Sequence, residues 1–210
     1  MAKAMLQSID KDGTHRAPLQ DVEILEQVGD NDYIVLTPAD IKCHALFNQY
    51  TSYWYSDMNT SLREDMPDSS VANYIAGATA GLDKFEAADD VVTFRGANLH
   101  WTANLLGGSE AQMSNAAFLK SKIGKTVVDK GFMSSGTHQD SSWSADVKYT
   151  IFVNKGVRGM YVDPISANRG EKEFLFNRDT EFTVHAIKTG TGGRIRELIL
   201  EALPTRKPHK

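Results

Sequence analysis

A chain of 210 residues, 41% of them hydrophobic and 24% charged, is long enough to bury a sizeable core, and a single domain over residues 1–210 is the expectation. The net charge is -4 and both signs are interspersed, so there is neither a basic stripe to neutralise a nucleic-acid backbone nor a polybasic run for an anionic membrane. Cys43 is the only cysteine, which excludes an internal disulfide and a thiolate metal cluster within one chain and leaves the redox compartment open. No stretch approaches the ~20 apolar residues of a membrane span, and "MAKAMLQSIDKDG" lacks the apolar run of a signal peptide. Either a cytosolic protein or a mature form is expected.

Residues 1–36 are polar and weakly periodic, and read as an arm or a short helix around "LQDVEILEQV" laid on the main body. A helical layer, 37–90, follows. In "TPAD", Thr37 is the N-cap, Pro38 takes the first helical position and Asp40 completes a box-like start, giving a helix that runs to about Tyr55. A second helix over Ser70 to Phe85 puts Val71, Tyr74, Ile75, Ala78 and Leu82 on one face. Beyond it the texture changes to a β-rich core, 91–210. "DVVTF" at 90–94 is a short β-branched run, "EAQMSNAAFLKSKIG" at 110–124 is one more helix, and strands are expected over 130–134, 147–153, 159–162, 173–176, 182–187 and 194–203. Helices first and strands later indicate an α+β fold.

Three places in this scheme carry chemistry. "VVTFRGAN" ends a strand with Arg95 and Gly96, a cation leaving the sheet beside a residue that lets a ligand approach the backbone. "DKGFMSSG" puts Ser134 and Ser135 at the end of another strand. "GEKEF" starts a third with Glu171 and Glu173, which, if the strand begins near Glu171, share one face within roughly 7 Å of each other. Like charges so placed repel, and a solvated strand end can carry such a pair for no purpose. His44, His100, His138 and Cys43 show no ligand spacing, so no metal is expected.

An Arg, a Ser pair and a Glu-x-Glu, in that order on strands of a late sheet, resemble the Arg, Ser-Thr-Ser, Glu-x-Glu signature of the bacterial mono-ADP-ribosyltransferase exotoxins. "YTSYWYSDMNTSLRE" at 50–64 is similar to the helix and turn that precede the core of the actin-modifying branch, and 159–170 has the length and flanks of the family's target-recognition turn. The resemblance implies two roughly perpendicular antiparallel sheets flanked by N-terminal helices, with NAD as co-substrate in the cleft between them. It implies that Glu173 is the catalytic carboxylate and that Glu171 is the partner found in arginine-modifying members. A guanidinium becomes a nucleophile only if a carboxylate orients it and takes its proton, so a cationic acceptor would also relieve the repulsion between the two glutamates.

By the same resemblance Arg95 pairs with the pyrophosphate, Gly96 bonds the nicotinamide amide through its backbone, and Ser134 holds Glu173. Ser135 stands for the usual Thr, Trp143 packs on nicotinamide, and Tyr50, Tyr55 and Asn59 line the phosphate and ribose side. Gly136 replaces the last Ser of the triplet. Asn168 stands where several actin-modifying members carry an aromatic residue, and Asp146 lies about where some members place a phosphate-binding Arg. These departures bear on the protein target rather than on NAD splitting.

The implied partner is a protein with an accessible arginine, actin among the possibilities, and the chain itself is expected to be a monomer. The implied setting is a secreted effector acting in a host cytosol, or a phage-encoded protein in a bacterial cytoplasm. Two competing readings are an NAD glycohydrolase without a protein acceptor, in which Glu171 has no evident task, and a catalytically silent docking domain, whose usual mark is a lost Arg, Ser or Glu.

Overall fold

The computed structural model describes residues 50–87, 90–138, 145–162 and 171–204. The expected arm, the helix start at Thr37, Trp143, Asn168 and the target-recognition turn lie outside them, apart from that turn's first strand.

A single π turn, Tyr50–Trp54, runs directly into helix α1, Tyr55–Arg63. The helix expected to stop at Tyr55 therefore continues for two more turns. Asn59 and Arg63, four residues apart and both buried, share its inward stripe. Asp65, in a left-handed conformation at φ 53°, and Pro67 then keep the chain from resuming the helix. Helix α2, Ala72–Leu82, follows. Its expected face is the one that packs: Val71, Ala78 and Leu82 join Tyr50, Met58, Phe132, Met160, Val162 and Leu175 in one buried cluster, with Tyr74 and Ile75 at its edge.

Among the described residues the core has eight strands: β1 Val91–Ala97, β2 Thr126–Asp129, β3 Met133–Gly136, β4 Val147–Val153, β5 Gly159–Tyr161, β6 Glu173–Phe176, β7 Thr180–Thr189 and β8 Ile195–Ala202. Helix α3, Leu99–Leu105, lies between β1 and β2, with the Asn98 side chain accepting the Trp101 N–H as its cap. The single helix expected over 110–124 is broken in two. A 3-10 turn, Glu110–Ser114, ends at Asn115, whose side chain accepts the Phe118 N–H and starts helix α4, Ala116–Lys122.

The strand order is β2-β7-β8-β4-β1-β3-β6-β5. The two expected sheets are the five-stranded and three-stranded parts of this ladder, and they meet at one register pair, Phe94 opposite Gly136. Not every neighbour is antiparallel. β8 reaches its place from β7 by a tight hairpin and so runs parallel to β4.

The largest buried cluster is shared by both parts. It includes Met133, Phe174 and Phe176 from one and Tyr149, Ile151, Phe182, Leu198 and Leu200 from the other. The Phe174, Phe176 and Phe182 rings meet edge to face in sequence, at 4.9 and 5.6 Å, a geometry that adds to their area burial. Behind the three-stranded part lie α1 and α2; inside the five-stranded part lie α4 and the 3-10 turn.

Candidate active site at the seam

The register of β3 against β6 decides which side chains meet. Gly136 stands opposite Glu173, Ser135 opposite Phe174 and Ser134 opposite Leu175. Directly opposed residues share a face and alternate ones change it, so Glu173, Leu175 and Ser134 face one way. Leu175 belongs to the helix-side cluster with Tyr50 and Phe132, which identifies that way as toward α1. Ser135 and Phe174 face the shared core, and Ser135 Oγ donates to the Phe174 carbonyl at 3.1 Å. The two serines of the pair are thus on opposite faces, one beside Glu173 and one committed to the sheet backbone.

Glu173 is 5% exposed. Its carboxylate acts on the Tyr50 phenol, which burial first and the Glu173 charge second hold well above the ordinary tyrosine range, against the pull of Asn59, Arg63 and Arg95. Glu171 is half-buried and lies before the strand, because β6 begins at Glu173 and Lys172 is left-handed at φ 52°. The period-two rule that placed both glutamates on one face stops at Glu173. A turn connects them instead, fixed by the Lys172 carbonyl accepting the Thr137 N–H at 3.0 Å.

Arg95 comes from the other part of the ladder. It stands opposite Tyr149, one residue past the Phe94–Gly136 pair, and its Nη1 donates to the Ser134 carbonyl at 2.6 Å. One guanidinium therefore bridges the seam. Burial, then the neighbouring Arg63 charge, depress its pKa, while Asp129, Tyr149 and Tyr50 oppose them. Gly96, half-buried, is paired to Lys148 on the β4 side; toward β3 the ladder has no register partner beyond Phe94. The edge of β1 that carries Arg95 and Gly96 is where the two parts diverge.

Tyr50 and Asn59 are buried and joined, Asn59 Nδ2 donating to the Tyr50 hydroxyl at 3.1 Å, and Asn59 Oδ1 accepts the Phe132 N–H at 2.7 Å. Tyr55, one turn before Asn59 on the same stripe, is 54% exposed. Asp146 accepts the Leu99 N–H with Oδ2 at 3.2 Å and serves the start of α3. Among the described residues no group of three or more His, Cys, Asp or Glu side chains is placed to hold a metal ion, and no helix is long and apolar enough to cross a membrane.

The resemblance put Leu62 and Arg63 in register with the family's helix but gave Arg63 no role, and it did not single out Asp129. Arg63 grips Asp129 with two hydrogen bonds of 2.7 and 2.8 Å, and the pair lines a small cavity with Arg95, Trp101, Asn104 and Tyr149. The available signal was the four-residue step from Asn59 to Arg63, which puts both on one helical stripe. A larger cavity, about 830 Å³, lies away from this seam between α1 and α2, with Arg178 on its rim. It contains none of the residues above apart from helix α1 itself, so its size does not make it the site.

Residues 34–207 match the family model of the ADP-ribosyltransferase exoenzymes. The NAD(+)-arginine ADP-ribosyltransferase EFV of Enterococcus faecalis is 28% identical over 142 residues, covering 66% of this chain and 27% of that protein. The chain thus spans less than a third of that relative's length. Among solved structures, Plx2a, an ADP-ribosyltransferase toxin from Paenibacillus larvae, superposes with a TM-score of 0.69 at 24% identity, over 87% of this chain and 96% of that one. C3stau2 from S. aureus, solved with NAD, gives 0.71 at 16% identity, over 91% and 100%.

Proposed function

The chain belongs to the ADP-ribosyltransferase exoenzyme family, and from that premise we propose that it transfers ADP-ribose from NAD to an arginine side chain of a protein. The observation that carries this reading is the seam itself. Glu173 is buried on the same face as Ser134, and Arg95 reaches across from the other part of the ladder to the Ser134 carbonyl. A planar, permanently charged fork suits a pyrophosphate, and a buried carboxylate suits a developing ribosyl cation.

In this reading the bond between nicotinamide and the ribose C1′ breaks, with nicotinamide leaving as a neutral base. Glu173 accepts a hydrogen bond from the ribose 2′-hydroxyl and places its charge near the oxocarbenium-like transition state. An arginine nitrogen then bonds to C1′ and gives its proton to Glu171. The turn at Lys172 leaves room for the two carboxylates to touch different partners. Arg95 binds the pyrophosphate, the Gly96 backbone bonds the nicotinamide amide, Tyr55 and the Tyr50–Asn59 pair line the phosphate and ribose side, and Trp143 packs on nicotinamide.

The arginine acceptor draws support from the EFV relative, whose name states that acceptor. Secretion and action inside a host cell fit the exoenzyme and toxin descriptions of the relatives, and a phage-encoded protein acting in its bacterial host is the other setting for the same chemistry. The test is incubation of the wild-type protein with NAD and agmatine, resolving free ADP-ribose from ADP-ribosyl-agmatine by mass spectrometry. Growth of the adduct supports transfer. Free ADP-ribose alone supports the glycohydrolase reading, and neither product supports a silent docking domain.

A further inference from the structure

The turn that leads into β3 packs its Phe132 in one buried cluster with Met58 of helix α1 and is also gripped from that helix by a set of polar groups. Arg63 Nε and Nη2 donate to the two oxygens of Asp129 at 2.7 and 2.8 Å, and Nη2 also donates to the Phe132 carbonyl at 3.0 Å. Asp129 Oδ1 accepts the Gly131 N–H at 3.0 Å as well. One turn earlier on the helix, Asn59 accepts the Phe132 N–H. The approach is so close that a Cβ on Gly131 would stand 2.6 Å from Asn59 Oδ1 and 2.9 Å from Arg63 Nε. Both members of the ion pair are 7% exposed, so each depends on the other for its solvation.

What distinguishes this clamp from a structural ion pair is its neighbour. Arg63 lies near enough to Arg95 for its charge to depress the Arg95 guanidinium, and both line the cavity with Trp101, whose ring faces Arg63 at 5.3 Å. Two cations brought together in a half-buried place repel unless a carboxylate is fixed between or beside them. Asp129 is the carboxylate among the cavity-lining residues.

We propose that Asp129 is a positioning residue of the NAD site, one that fixes Arg63 beside Arg95 so that two guanidiniums present themselves to the pyrophosphate. The clamp sets a second position too, since the turn it holds runs directly into Ser134, whose carbonyl receives Arg95. This inference rests on the reading of the seam as an NAD site but not on the transfer step, so ligand binding separates the two.

The experiment compares the wild type with Asp129→Asn and Arg63→Lys by calorimetry with ADP and with nicotinamide, and by NAD kinetics. Asp129→Asn keeps the shape and removes the charge; Arg63→Lys keeps the charge and removes the fork. Each is expected to weaken ADP at least tenfold, to leave nicotinamide affinity within twofold, and to raise the KM for NAD with kcat within threefold. A merely structural role lowers the active fraction, and with it kcat, and leaves ADP affinity per active molecule unchanged; that result overturns the proposal.

Should neither variant fold, the Arg63 Nε–H resonance of the wild type carries the test. It is expected to shift with ADP and not with nicotinamide, and a signal indifferent to ADP overturns the proposal. A wild type that binds ADP through this cavity without splitting NAD would defeat the transfer reading while leaving this one standing.

Discussion

Strand β1 has two edges with different tasks. Along β4 it is paired over all seven residues, from Val91 opposite Val153 to Ala97 opposite Val147; along β3 it is paired once, at Phe94. The paired edge is part of the sheet that holds Val92, Phe152 and Ile199 in a dry cluster. The other edge opens directly after its single pair, and the next residue is Arg95, whose guanidinium continues across the gap to Ser134. A ladder left incomplete makes backbone and charge available to a ligand, at the cost of hydrogen bonds that the neighbouring edge makes in full. Stability and chemistry are thus divided between the two sides of one strand.

This division makes mutations fall into two classes. Glu173→Ala, on the open side, is expected to lower NAD cleavage by ~10³-fold or more, because it removes negative charge from the transition state, while thermal unfolding stays cooperative. Cleavage within tenfold of wild type would remove Glu173 from the chemistry. Arg95→Lys keeps the charge but not the fork, and is expected to raise the KM for NAD about tenfold, measured by initial rates on folded protein. On the paired side, Phe152→Ala should do the reverse. Phe152 is fully buried, so its truncation is expected to cost about 3–5 kcal/mol in denaturant unfolding and to leave the KM for NAD unchanged. A KM that moves with Phe152 and not with Arg95 would dissolve the distinction between the edges.

A smaller effect lies at high pH. Tyr149, opposite Arg95, has its phenol pushed up to about 12, by burial above all, although its hydrogen bond to Thr102 and the Arg95 charge oppose this. Between roughly pH 10 and 12 the folded chain keeps that proton while the unfolded chain gives it up, so the unfolded state binds fewer protons and stability falls as pH rises. Tyr149→Phe should flatten part of this decline, read as denaturation midpoints at pH 9 and 11. Tyr50, raised in the same direction, should supply part of the remainder.

Where local patterns are strong, the sequence already contained the fold. The β-branched and aromatic run "VKYTIFV" and the short "EFLF" became β4 and β6 at the expected residues, and the apolar spacing of α2 named the face that packs. Other elements were silent. Helix α3 has seven residues, too few for its period to declare itself, while in "TVVD" of β2 the exposed Val128 and the buried Asp129 hide the alternation, and Asn115 looked like the interior of one helix until its side chain capped a new one. The order of Arg95, Ser134 and Glu173 was readable although only Glu173 sits at a strand end: β1 runs on to Ala97, and Ser134, expected where a strand ends, lies just inside the start of β3. The Arg63–Asp129 clamp was not, since its members are 66 residues apart and only the packing of α1 against the β2–β3 turn brings them together. Nor could alternation foresee Lys172, whose left-handed backbone separates Glu171 from the strand.

That separation points to the measurement that matters most. NAD hydrolysis and transfer to agmatine, followed on the same preparation of Glu171→Gln, report the two carboxylates independently. The amide keeps the size and one acceptor oxygen but cannot take a proton. If Glu173 splits NAD and Glu171 serves the acceptor, the variant retains NAD affinity and much of the hydrolysis and loses transfer. Equal loss of both reactions would place Glu171 in the cleavage step, and transfer at the wild-type rate would contradict an arginine acceptor activated by this glutamate.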